Sequence, residues 1–169
     1  MMYTYQSKYP KRAEQTLFWL LLFLGLCLFG FSQMYNVPLP MLYRSIGILS
    51  ISIALAVHAR YLRVSYRYSV EPRPDAPSDA PLDFVVTELS HKRIREVMRI
   101  SVADVTGIIP CTKKNKKTMR EAKKGKTRYE LTSFLFPPKA CLLLFLDGDR
   151  QAAARILADE ELLKALNNQ

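Results

Sequence analysis

Residues 16–35, TLFWLLLFLGLCLFGFSQMY, and residues 38–59, PLPMLYRSIGILSISIALAVHA, decide the fold of this chain. Each approaches the roughly 20 residues that an α-helix needs to cross a hydrocarbon core of about 30 Å. No charge falls between Glu14 and Arg44, and Arg44 stands near the start of the second stretch, where a long stem reaches the headgroups. Only a tight, uncharged, Pro-containing turn separates the two. The expectation is a transmembrane helical hairpin with spans of about 16–35 and 40–59.

Charge orients it. Lys8, Lys11 and Arg12 precede the first span, Arg60, Arg63 and Arg67 follow the second, and the turn has neither Lys nor Arg. Basic flanks stay cytoplasmic, so both termini are expected inside. Tyr35, Tyr43 and Tyr61 stand near span ends, as interfacial aromatics do. A cleaved signal peptide would have a shorter apolar run and a small-residue cleavage site, which are missing here.

Of the 169 residues, the hairpin (1–61) leaves about 100 for one compact domain, 62–169. The net charge of +10 lies almost wholly in or beside the inward-facing parts. Such a balance suits an anionic surface, and a domain tethered to a leaflet meets anionic lipid first. Cys27, Cys111 and Cys141 are scattered and odd in number, against a disulfide framework and for small buried hydrophobes.

Residues 1–12 read as a loosely ordered basic and aromatic lead. After Arg63 the periodicity changes to two: Val64, Tyr66, Tyr68 and Val70 alternate with Ser65, Arg67 and Ser69, a strand with one apolar face. Residues 71–81, EPRPDAPSDAP, are a loop. Residues 82–89 and 93–100 form a hairpin across a turn at Ser90, His91 and Lys92, and its polar face carries Arg93, Arg95 and Arg99. A β-branched run follows at 102–109. Residues 129–136 and 140–146 read as further strands. Asp147-Gly148 signals a hairpin turn, which asks for a returning strand over 150–157 against the helix propensity of Ala152, Ala153 and Ala154. Residues 159–166, DEELLKAL, are a helix capped by Asp159, with Leu162, Leu163 and Leu166 as its apolar stripe.

Residues 113–128, KKNKKTMREAKKGKTR, hold nine basic positions: Lys113, Lys114, Lys116, Lys117, Arg120, Lys123, Lys124, Lys126 and Arg128, opposed only by Glu121. Without an apolar face the segment reads as a solvated loop. Its chemistry is attraction to anionic headgroups, each cation adding on the order of 1 kcal/mol near the surface. It lacks the interleaved aromatics that stack bases, which argues against nucleic acid as a partner. His58 reads as an interfacial side chain, with pH sensing as its alternative. No catalytic constellation, no zinc spacing and no glycine-rich phosphate loop stands out. No small-molecule substrate and no cofactor is expected, and the chain reads as non-enzymatic.

Strands closed by one C-terminal helix are the architecture of a pleckstrin-homology-like (PH-like) barrel. On YRYSV at 66–70, RIREVMRISVADVTGI at 93–108 and FLDGDR followed by DEELLKAL, the chain resembles bacterial membrane proteins that carry such a domain after a pair of transmembrane helices. The resemblance implies an α+β chain: an N-terminal transmembrane hairpin, then an antiparallel PH-like β-barrel and a C-terminal helix, in the bacterial cytoplasmic membrane. It implies a binding or scaffolding role, either protein interaction or sensing of the membrane surface. The alternative is an accessory subunit of a transporter or membrane enzyme complex, with Gly25, Gly30, Ser45, Gly47, Ser50, Ser52 and Ala54 permitting close helix contact. Phosphoinositide-binding members carry basic residues in the first interstrand loop, whereas here Arg73 faces Glu71, Asp75 and Asp79.

Overall fold

A computed structural model describes residues 3–7, 10–34, 36, 38–73, 81–90, 93–112, 114–137 and 139–167. The chain divides into two compact units. One is Pro10–Val64 with Phe134–Phe136, and the other is Met1–Tyr9, Ser65–Ser133 and Pro137–Gln169.

The first unit is a helical pair, α1 (Arg12–Phe31) and α2 (Pro40–Val57), the latter continued by a π-helical turn over His58–Leu62. The helix α1 starts earlier than its apolar run because Glu14 suits the positive end of the dipole in the first turn. It stops at Phe31, where the Ser32 hydroxyl turns back to donate to the Phe29 carbonyl at 2.6 Å. Pro40 opens α2, where a missing N–H is no loss. The helices cross at Gly25 and Gly47. A Cβ on Gly47 would come within 2.9 Å of the Gly25 carbonyl and of the Phe29 nitrogen, so only glycine permits this approach. One turn on, Ser50 donates to the Leu21 carbonyl at 2.8 Å, joining the helices through a backbone acceptor. The outer faces are apolar and bare, with Trp19 64%, Phe23 72% and Met41 76% exposed. A helix in a water-soluble core buries such side chains. Both helices are long and apolar enough to cross a membrane.

The second unit is two four-stranded sheets and two helices. One sheet runs β1 (Tyr3–Gln6), β2 (Val64–Glu71), β3 (Asp83–Ser90) and β4 (Arg93–Ser101) in that order. The other contains β5 (Val105–Pro110), β6 (Thr127–Glu130), β7 (Ala140–Asp147) and β8 (Arg150–Leu157), in the order β5-β7-β8-β6. Helix α3 is Lys116–Ala122 and α4 is Glu160–Asn167. The class is mixed α+β, and neither sheet closes into a barrel. The antiparallel expectation also needs correction, because β6 runs parallel to β8.

The core lies between the sheets. Tyr68, Phe84, Phe145, Leu143 and Ile156 are fully buried. Tyr68 stacks on Phe84 with ring centres 6.4 Å apart. Its hydroxyl donates to the Leu131 carbonyl at 2.7 Å and accepts from the Leu157 nitrogen at 3.3 Å, so the polar tip of a buried ring is satisfied. Strand β8 sits between β7 and β6. Burial of Ala152, Ala153 and Ala154 there outweighs their helix propensity. The turn that starts β8 has Gly148 at φ 60°, the first central position of a two-residue hairpin between paired Asp147 and Arg150.

Three other expectations change. The lead is not loose: Tyr3 to Gln6 pair antiparallel with Val70 to Arg67. The strand over 129–136 ends at Glu130, because Thr132 donates to its own neighbour Glu130 at 2.7 Å and the Leu135 nitrogen donates to Glu14 at 2.8 Å. The lysine-rich segment is not all loop, since α3 lies within it. Lys, Arg, Glu, Met and Ala are strong helix formers, and Asn115, Met119, Ala122 and Lys123 form a half-buried stripe at helical spacing.

Candidate cationic interaction surface

The cations of residues 114–128 follow one another along α3, the turn after it and β6. Lys114, Lys116, Lys117, Arg120, Lys124 and Arg128 are exposed, and Lys123 and Lys126 are half-buried. Lys113 lies outside the described residues. Among the described residues, none of these side chains forms an ion pair. Arg128 donates to the Lys123 carbonyl at 3.3 Å, which ties β6 to the end of α3.

Elsewhere in the same unit three arginines, Arg73, Arg99 and Arg155, are matched to carboxylates. Asp83, fully buried, receives Arg73 at 3.2 Å and Arg99 at 3.3 Å. Arg99 also holds Glu96 at 2.8 Å and Glu71 at 3.4 Å. A buried carboxylate survives as a charge only when paired and hydrogen-bonded in this way. The Arg99 guanidinium holds the Glu96 carboxyl below the usual range. Arg155 reaches Glu130 at 3.6 Å. Arg73, Arg99 and Arg155 are thus paired with carboxylates, whereas the α3 cations have no carboxylate partner among the described residues. Such an array can bind polyanions and anionic surfaces.

The basic residues that flank the helical pair divide. Arg60, on the π-helical turn, Arg63, just after it, and Arg67, on β2, are exposed. Lys11 is half-buried. Its ammonium donates to the carbonyls of Tyr61 and Val64, the latter at 2.5 Å, and lies 5.7 Å from the Phe134 ring centre. It thus satisfies carbonyls at the C-terminal end of the helical pair and complements the dipole there. Burial lowers its pKa. Sequence reasoning counted Lys11 among the basic flanks that orient the hairpin. It also passed over Glu14, which is 2% exposed and accepts from the Leu135 nitrogen. The one signal was that Glu14 is the only acid beside the first apolar stretch.

The small residues also sort. Gly25, Gly47, Ser50 and Ala54 are buried where the two helices meet. Gly30 has open space around a built Cβ, and Ser45 and Ser52 are exposed and donate to their own helix at Met41 and Ile48. His58 lies 5.1 Å from the Phe18 ring, and its Nδ1 is buried without a partner among the described residues. His91 and Tyr35 lie outside the described residues. Burial pushes the Cys111 thiol up and the Cys141 thiol to about 11, so both stay protonated at neutral pH. Among the described residues no three His, Cys, Asp or Glu side chains gather as a metal site requires.

No family model, no curated protein and no solved structure matches the chain. The class is therefore defined by its own geometry: an α+β chain with an apolar helical pair and an uncompensated cationic segment.

Proposed function

We propose that the chain is a membrane-anchored, non-enzymatic module of PH-like architecture that meets an anionic leaflet through residues 113–128. The observation that carries this reading is the contrast in charge pairing. Arg73, Arg99 and Arg155 have carboxylate partners, while the cations of α3 have none among the described residues. Cations that stabilise nothing internally remain available to headgroups, each adding on the order of 1 kcal/mol, screened by salt.

Anchoring draws on the bare apolar faces of α1 and α2. Sidedness draws on the β1–β2 pair: β1 precedes α1 and β2 follows α2, so both ends of the hairpin emerge on the same side. The basic flanks then make that side the cytoplasmic one, in a bacterial inner membrane. The test is a fluorophore at Thr118, an exposed position of α3, in the full chain reconstituted with a lipid-borne quencher. Quenching is expected in bilayers containing phosphatidylglycerol. It should fall with salt and with Lys116, Lys117, Lys123 and Lys124 changed to Gln. Equal quenching in purely zwitterionic bilayers contradicts the reading.

A second reading, an accessory subunit of a larger membrane complex, draws on Gly30, which the hairpin does not use and which leaves open space on α1. Gly30→Leu would disrupt such an assembly and leave the α3 response intact.

A further inference from the structure

Strand β4 is an edge. It pairs with β3 on one side, and in the order β1-β2-β3-β4 no strand among the described residues lies on the other. The outward N–H and C=O groups of an edge are a template on which an extended peptide adds as a further strand. At Val97 the register skips, with Val86 opposite Met98 and Thr87 opposite Glu96. Such a bulge re-aims the strand locally. Beside it opens a groove of about 220 Å³ lined by Met98, Arg99 and Ile100 of β4 and by Tyr129, Phe145 and Asp147. That volume lies below the roughly 300 Å³ at which small-molecule sites begin, and suits one or two side chains of a bound strand.

The charge on this edge selects the occupant. Arg93 and Arg95 are exposed and make no ion pair among the described residues, although Arg95 stands opposite Glu88. Of the acids nearby, Glu96 is engaged by Arg99 through two contacts, and Asp147 by the Tyr129 hydroxyl at 3.1 Å. Arg93 and Arg95, which have no ion pair among the described residues, attract an acidic strand. Ile94, 76% exposed, offers that strand an apolar contact.

We infer that the free edge of β4, Arg93–Ser101, takes up an extended acidic segment of a partner protein by strand addition, with the Tyr129–Phe145 groove receiving one of its side chains. The inference rests on the chain being an interaction module and does not use α3. The probe is a fluorescent peptide about as long as β4 that alternates Glu with Val, offered to the full chain in zwitterionic nanodiscs. The controls are the same peptide with Lys for Glu, and the same peptide N-methylated at alternate amides in either frame. The acidic peptide is expected to bind at least about tenfold more tightly than the Lys version. Methylation in one frame should abolish binding, and amide exchange over Arg93–Ser101 should slow. Changing Arg93 and Arg95 together to Glu should reverse the charge preference. Binding that survives methylation in both frames, binding without protection of β4, or no binding overturns the inference. In those cases an intact phosphatidylglycerol response at α3 leaves the proposed function standing, and loss of both removes both.

Discussion

The Tyr3 hydroxyl donates to the Asp159 carboxylate at 2.6 Å, and the other oxygen of Asp159 accepts from the Leu162 nitrogen at 2.8 Å. One carboxylate thus joins the first strand of the chain to the cap of its last helix. The strand would otherwise be four residues on a sheet edge, and the helix too short to persist alone.

Tyr3→Phe should lower the stability of the sheet unit by about 1–2 kcal/mol, the worth of a hydrogen bond to a charged acceptor. Asp159→Ala should lower it further, because the cap adds about 1 kcal/mol. Burial and the Asp159 bond raise the Tyr3 pKa above the ordinary 10. A raised folded-state value means that this contribution is complete below pH 10 and is lost as pH climbs beyond it. Denaturant unfolding of wild type and Tyr3→Phe should therefore converge in strongly alkaline buffer. A constant gap between them would show that the bond is not the cause.

The helix crossing gives a contrast between glycines. Gly47→Ala drives a methyl to within 2.9 Å of backbone atoms of α1, so the helices must part, at about 1–3 kcal/mol. Gly30→Ala meets nothing and removes the helix penalty of glycine, a gain of about 0.5–1 kcal/mol. Thermal unfolding in detergent should move in opposite directions for the two. Equal shifts would argue that the helices do not cross at Gly25 and Gly47.

The Asp83 cluster should behave as a unit. Arg99→Met leaves a fully buried carboxylate with Arg73 alone, at a cost on the order of 3 kcal/mol. Arg99→Met combined with Asp83→Leu should recover much of that loss, since no unpaired charge remains. Arg99 holds the Glu96 carboxyl below its ordinary 4.5, so the Glu96 contribution is present above pH 4.5 and fades as pH falls below it. A double-mutant cycle in urea, repeated in acid, reads both effects. Strict additivity at neutral pH would contradict the coupling.

What the sequence disclosed follows physical scale. Long-range patterns were legible: the uncharged run between Glu14 and Arg44, the period-two alternation after Arg63, and the Asp147-Gly148 turn that forced β8 despite its alanines. Short elements held by distant partners were not. The strand β1 exists because Val64–Glu71 offers it a ladder, which four residues cannot announce. Helix α3 rests on Met119 and Ala122, too sparse a stripe to register beside nine cations. The parallel pairing of β6 with β8 depends on a crossover that no local signal encodes. In the candidate surface the exposed cations were legible by composition. The withdrawal of Lys11 onto the carbonyls of Tyr61 and Val64 was not, because those acceptors lie 50 and 53 residues away in the chain.

Single-cysteine labelling tests most directly whether the hairpin is anchored in a membrane with both flanks on one face. Single cysteines introduced as Gln6→Cys, Asn36→Cys and Gln151→Cys, in a chain whose own three are replaced, can be probed with an impermeant maleimide in right-side-out membranes. Asn36→Cys is expected to react before lysis, and Gln6→Cys and Gln151→Cys only after it. Reaction of Gln6→Cys and Gln151→Cys from opposite faces, or of all three from one, would contradict it.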